Sequence, residues 1–351
     1  MIEKISKWLQ NQMPFVVYRK PNEHIATGWF QQNQTLNKGT ELQKSCFVFA
    51  PFAQKEKVFF YPEDCEILQE TIVVKEINWK ELNDLEGHNS GKEQHIQLVE
   101  KGVKAIQNGD FEKVVLSRKE EVSVNPNQYQ DYYERFLQKY PTAFVYWFYH
   151  PEVGMWMGAT PEQLLKTENS IVKTVALAGT MVDKGIDLNQ VVWGDKERKE
   201  QQIVTDFIVD CLKKQTDEIR KTEPFTYKAG TLLHIKTDIE ATLAEVDKVY
   251  DVIEKLHPTP ALCGFPKQAA QDFIIENEGY HREYYGGFLG EWKFENGKEA
   301  LNSDLFVNLR CMKIQGEKAY LFLGGGVNKD SDPESEYYET VNKSKTVKSI
   351  L

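Results

Sequence analysis

The sequence predicts an α+β protein with an antiparallel core. Short apolar segments separated by polar turns run through most of the chain. Helical periodicities interrupt them without the regular alternation that a doubly wound parallel sheet requires. Length and composition agree with a large core: 351 residues, 41% hydrophobic and 27% charged, can fill one big domain or two ordinary ones.

The elements follow in order. Residues 1–85 open with a helix and continue as strands at Phe15–Tyr18, Cys46–Ala50, Val58–Tyr61 and Thr71–Val74. Asp84–Gly91 is polar and contains glycine, the composition of a flexible connector. Lys92–Asn108 keeps Ile96, Val99, Val103 and Ile106 at 3–4 spacing, so a helix is expected, with Asn108-Gly109 as its stop. Lys113-Val-Val-Leu-Ser-Arg118 has the β-branched content of a buried strand. Tyr129–Lys139 is expected to be a helix, and Phe144–Tyr149 with Met155–Gly158 a hairpin. Ile171–Gly179 is a further strand, ending in Leu177-Ala-Gly-Thr180. A long helix from Asp195 to about Lys214 carries the stripe Ile203, Val204, Phe207, Ile208, Cys211 and Leu212. Prolines 258, 260 and 266 stiffen His257–Pro266, which reads as the wall of a site. Leu289–Phe294, Leu305–Ile314 and Ala319–Leu323 complete the strands. Gly324–Gly326 then reads as a turn. Asp332-Pro333 opens a last helix, with Asp as N-cap and Pro at the first helical position.

Composition excludes several classes of function. The formal net charge is −10 and no long basic run occurs, which argues against a nucleic-acid partner. The N-terminus is charged and lacks an apolar signal core, and no apolar run approaches the ~20 residues needed to cross a bilayer. Five scattered cysteines without a CxxC are those of reduced, buried thiols. The expectation is a cytoplasmic protein with a small-molecule ligand.

Candidate chemistry concentrates on few residues. Glu336, Glu339 and Lys343 fall at i, i+3 and i+7, and so share one helix face. Glu197 and Glu200 form a second pair at i, i+3 on the long helix. Converging carboxylates suit Mg²⁺, although the same spacings also describe solvated faces laced with Glu–Lys pairs. Lys113 begins an apolar strand, either as a snorkelling side chain or as a desolvated base. Glu162 follows a Thr-Pro turn, either at a helix start or as an acid whose pKa burial raises. Arg310, within an apolar stretch, needs an anionic partner, and a substrate carboxylate would serve bidentately. His234 suits a core or a site equally. The glycines at 286–287 and 324–326 match no nucleotide-binding pattern.

Blocks across residues 92–351 occur in one order: KVVLSR at Lys113–Arg118, Thr160-Pro-Glu162, LAGT at Leu177–Thr180, KERKE at Lys196–Glu200, HPTPALCGFP at His257–Pro266, YYGGFLG at Tyr284–Gly290, Leu309-Arg310, and GGG…SDPESEYYET…K at the C-terminal end. In this the chain resembles the chorismate-utilising enzyme family, and within it the isochorismate synthases. The first 90 residues match only loosely. The resemblance implies a single large α+β domain over residues 1–351, with two stacked antiparallel sheets flanked by helices, acting as a monomer in menaquinone or siderophore biosynthesis. It implies that Glu200 and Glu339 hold Mg²⁺, with Glu197 and Glu336 near it. Arg310, Lys343 and the backbone around Gly324 would hold the enolpyruvyl carboxylate of chorismate. Gly179 and Thr180 would line the ring site, with His234 close by. Lys113 would be the base that activates water and Glu162 the acid that protonates the leaving C4 hydroxyl. Lys113 separates this branch from the ammonia-using anthranilate synthases, and Ala261 and Leu262 resemble the isochorismate type rather than the salicylate synthases, which go on to eliminate pyruvate. A non-catalytic chorismate binder and a metal-dependent hydrolase are the further alternatives. Gln201 stands where the family usually has His.

Overall fold

A computed structural model describes residues 1–53, 55–73, 91–229, 232–245, 248–295 and 300–351. Two sheets stack face to face. The first has nine strands, in the spatial order Gly264–Phe265, Lys113–Ser123, Lys318–Val327, Cys311–Gln315, Gly154–Thr160, Phe144–His150, Phe15–Arg19, Ile25–Gln31 and Cys65–Thr71. The second has ten. Nine run in the order Thr216–Lys221, Leu232–Leu243, Ile171–Val182, Gln163–Glu168, Asp304–Val307, Phe288–Trp292, Cys46–Ala50, Lys57–Phe60 and Lys38–Gly39, and Phe225–Ala229 also pairs with Leu232–Leu243. The neighbours pair antiparallel, as in the long Ile171–Val182 to Leu232–Leu243 ladder.

Period-two alternation sets the layers. Along Phe15–Arg19, Val16 and Tyr18 enter the layer between the sheets, while Phe15 and Val17 face the outer helices. The inner layer is aromatic. Phe144 of the first sheet stacks on Phe306 of the second with ring centres 4.3 Å apart, and Phe148 lies 4.4 Å from Phe49. Each such fully buried ring stabilises the fold by ~1.5–3 kcal/mol. Helices Ile2–Gln10, Tyr129–Lys139 and Pro333–Lys348 cover the first sheet; Asp195–Leu212 and Val249–Leu256 cover the second. Lys92–Asn108 and Lys267–Asn277 pack on the Lys113–Ser123 strand. Among the described residues no helix is long and apolar enough to cross a membrane.

The α+β antiparallel expectation holds, and the helices at Lys92–Asn108 and Tyr129–Lys139 have the expected bounds. Several details differ. Of the strand expected at Thr71–Val74, Thr71 is the last residue of the strand Cys65–Thr71, Ile72 and Val73 belong to no strand, and Val74 lies outside the described residues; Ile25–Gln31, with Gly28 at its centre, is a further strand. Of the connector Asp84–Gly91, only Gly91 falls among the described residues. On Asp195–Leu212 the buried face includes Gln201 and Thr205, while Ile203, Phe207 and Cys211 are only half-buried. Leu305–Ile314 is two strands, Asp304–Val307 and Cys311–Gln315, parted where Arg310 takes φ +48°. Gly324–Gly326 form no turn: they lie inside Lys318–Val327, opposite Ser117, Leu116 and Val115.

Candidate active site

Those strand glycines explain how the site closes. The Asp195–Leu212 helix and the C-terminal helix Pro333–Lys348 both approach Gly325 and Gly326. A Cβ on Gly326 would stand 2.1 Å from Glu200 Oε1; one on Gly325 would stand 3.4 Å from Glu339 Oε1 and 3.5 Å from Glu336 Oε2. Three carboxylates, one from the Asp195–Leu212 helix and two from the Pro333–Lys348 helix, therefore meet over a patch of bare backbone. Asp332 starts the last helix by accepting from Ser335 N–H at 2.8 Å, which sets the phase that points Glu336 and Glu339 inward. Glu197 does not join them: its carboxylate turns back to Gly194, and its Cβ faces Gly179.

Each of the three carboxylates has an ammonium partner. Lys113 Nζ lies 3.1 Å from Glu200 Oε1 without hydrogen-bond alignment, Lys196 Nζ 2.5 Å from Glu336 Oε1, and Lys343 Nζ 2.7 Å from Glu339 Oε1. Lys343 also donates to the Gly324 carbonyl at 2.9 Å. Burial tends to raise the Glu200 pKa, but the Lys113 charge holds it below the usual carboxylate value. Glu336 goes the other way, raised by burial and by the charge of Glu339.

Beside this cluster lies a narrow cavity of about 70 Å³. Glu162, Gly179, Thr180 and His234 line it, with Ala261 and Leu262 from the proline-rich wall and Arg310, Gly324 and Lys343 from the C-terminal part. Glu162 is 5% exposed, and burial pushes its pKa up to about 7 against the pull of Lys113, Lys343 and Arg310. A carboxyl so placed carries its proton near neutral pH. The Ile171–Val182 strand bulges between Ala178 and Thr180, with Gly179 at φ +73°, and so offers the Gly179 carbonyl to His234 Nδ1 at 3.0 Å. A carbonyl only accepts, so Nδ1 carries the proton, and buried Nε2, which has no partner among the described residues, presents its lone pair. Burial, then Arg310 and Lys343, lowers the His234 pKa to about 3, so the ring is neutral. Arg310 donates from Nη1 to Thr346 Oγ1 at 2.9 Å, and burial lowers its pKa. No carboxylate closes on its guanidinium among the described ion pairs, which leaves it available to an anion.

All the expected site residues except Glu197 thus gather here. Lys113 stands at the boundary: with Lys196, Glu200 and Gly326 it lines a wider outer cavity of about 740 Å³ that shares Glu200 and Gly326 with the inner one. Two contributors had no role in the sequence reading. Tyr285 lines the cavity, its hydroxyl 2.6 Å from where a Cβ on Gly324 would be, and it sits within the quoted YYGGFLG block. Lys196 was hidden in a charged run that reads as a solvated helix face. Gln201 points away from the site, donating to Thr205 and Thr237 hydroxyls at 2.8 Å.

Glu200, Glu336 and Glu339 offer only oxygen donors, the chemistry that suits a hard divalent cation such as Mg²⁺. With the lysines interposed, no group of three or more acidic, His or Cys side chains stands ready as a metal site among the described residues.

Comparison with known proteins gives consistent results. The family model described as chorismate binding enzyme matches residues 65–351. The isochorismate synthase MenF of Bacillus subtilis is 32% identical over 269 residues, covering 74% of this chain and 56% of that protein. The isochorismate synthase EntC of Escherichia coli K12 is 29% identical over 263 residues, covering 73% and 66%. The chain thus spans 56–66% of the length of these curated relatives. The crystal structure of DhbC from Bacillus anthracis superposes with a TM-score of 0.81 at 21% identity, over 99% of each chain, a likeness of fold.

Proposed function

The chain belongs to the chorismate-binding enzyme family, and from that premise we propose that it converts chorismate to isochorismate with Mg²⁺ as cofactor. Relatives named as isochorismate synthases support the choice of product. The observation that carries it is the buried, proton-bearing Glu162 in a cavity bordered by the buried amine of Lys113.

Bound at Glu200, Glu336 and Glu339, Mg²⁺ would supply positive charge for the ring carboxylate of chorismate. Arg310, with Lys343 beside it, takes the enolpyruvyl carboxylate. Lys113, as free amine, removes a proton from the water that attacks C2. Neutral Glu162 donates its proton to the departing C4 hydroxyl. One C–O bond forms at C2, one breaks at C4, and the ring double bonds shift between them. The attacking water enters and a water leaves, so substrate and product are isomers and the reaction runs both ways. The His234 Nε2 lone pair offers an acceptor for a substrate hydroxyl. The shared aromatic layer between the sheets supports reading residues 1–351 as one catalytic domain, with its N-terminal part the more divergent.

The test is the product spectrum of purified protein with chorismate, with and without Mg²⁺, near neutral pH. Metal-dependent isochorismate without pyruvate supports the proposal. Salicylate with pyruvate would move the chain to the lyase branch, and binding without turnover would make it a non-catalytic relative.

A further inference from the structure

The strand that carries Lys113 has an unusual outer edge. On one side Lys113–Ser123 pairs with Lys318–Val327 along its length. On the other side its only strand neighbour among the described residues is the two-residue strand Gly264–Phe265, opposite Val114 and Lys113, extended by the Val115 N–H donating to the Cys263 carbonyl at 2.8 Å. Beyond that point the Val115 carbonyl and the Ser117 N–H meet no strand among the described residues. A single ion pair meets them. Arg282 Nη2 donates to the Val115 carbonyl at 2.6 Å, and Glu278 accepts from the Ser117 N–H at 2.7 Å and from its hydroxyl at 2.8 Å. Arg282 Nε donates to Glu278 Oε2 at 2.8 Å, so the two side chains are locked together. Both are buried, with side-chain exposures of 3% and 0%. The same guanidinium donates from Nη1 to the Leu262 carbonyl at 2.8 Å, which belongs to the proline-rich wall.

We infer that the Arg282–Glu278 pair is a positioning element of the reaction: it replaces a missing strand beside Val115–Ser117 and ties the strand of Lys113 to the Ala261–Leu262 wall. Neither side chain lines the cavity that holds Glu162, so neither touches substrate. Their effect is on where the base stands relative to the ring. The inference rests on the isochorismate-forming activity proposed above. A shift of about 1 Å in a positioning group can lower a rate by ~100-fold. Binding depends chiefly on Arg310, Lys343 and the carboxylate cluster, which the pair does not contact.

The test uses two conservative variants of the full chain. Arg282→Lys keeps the charge but cannot reach both carbonyls, and Glu278→Gln keeps the shape and one acceptor. Expected is a fall in kcat of ~10–100-fold per folded molecule, counted by chorismate-binding stoichiometry, with KM changed less than ~3-fold. Amide hydrogen exchange gives a readout independent of turnover: the Ser117 amide should exchange faster in Glu278→Gln while the Leu116 amide, facing the Lys318–Val327 strand, stays protected. A merely structural pair would lower the folded fraction and leave kcat per folded molecule at the parental value; that result in either variant that folds overturns the inference. So does unchanged Ser117 exchange. If the parent protein makes no isochorismate, the functional reading fails on that control, and with it the role in turnover, while exchange still decides whether the pair holds the strand.

Discussion

Glu162→Gln should make the protein more stable and nearly inactive, and the stability gain should depend on pH. Burial lifts the Glu162 pKa from 4.5 to about 7. Between those values the folded chain keeps a proton that the unfolded chain has released. Stability therefore falls as pH rises through this window, and the loss is complete above the folded pKa. A shift of that size corresponds to about 3 kcal/mol. Glutamine has nearly the same shape and never ionises. The variant should match its parent below about pH 4 and exceed it by about 3 kcal/mol above about pH 8. Urea unfolding of both proteins across that range, without metal or substrate, measures the difference directly. Turnover should meanwhile drop by ~10²–10⁴, the usual contribution of a general acid. A stability difference that stays constant with pH would refute the reasoning, since it would mean that burial does not hold the proton on Glu162.

Two further substitutions test the other half of the site. Lys113→Gln should lose turnover by ~10²–10⁴ while chorismate still binds in the presence of Mg²⁺, as calorimetry can show; loss of binding would make Lys113 a substrate anchor instead. Gly326→Ala places a Cβ 2.1 Å from the present position of Glu200 Oε1, so that carboxylate must move. The Mg²⁺ dissociation constant, measured by titration with chorismate present, should rise by at least about tenfold, and an unchanged constant would remove Glu200 from the metal shell.

The sequence showed the parts of this site more clearly than their arrangement. Helical spacing places Glu336, Glu339 and Lys343 on one face, and the structure keeps them there because Asp332 caps the helix in the right phase. Helical spacing equally pairs Glu197 with Glu200, yet only Glu200 reaches the cluster. The difference lies in the packing of the helix on Gly179, which i, i+3 spacing does not encode. The glycine run misled for a related reason. Glycine suits turns, but it also suits a strand over which side chains must come close, and only the tertiary neighbours distinguish the two cases. The Arg282–Glu278 pair at i, i+4 looks like ordinary helix-surface pairing in sequence, and its burial against backbone groups of two separate segments has no local signature.

The charges of the site constrain how it can be loaded. Lys113, Lys196, Lys343 and Arg310 bring four cationic groups, Glu200, Glu336 and Glu339 three carboxylates, and Glu162 is uncharged below about pH 7. The ligand-free site therefore has one positive charge in excess. Chorismate carries two carboxylates, so binding it alone leaves a net negative charge in a largely buried space, where unbalanced charge is costly. A dication with chorismate overshoots by one positive charge. The balance closes when both are present and one lysine has given up its proton. Of the three lysines, Lys113 is the most enclosed, with a side-chain exposure of 1% against 30% for Lys196 and 17% for Lys343.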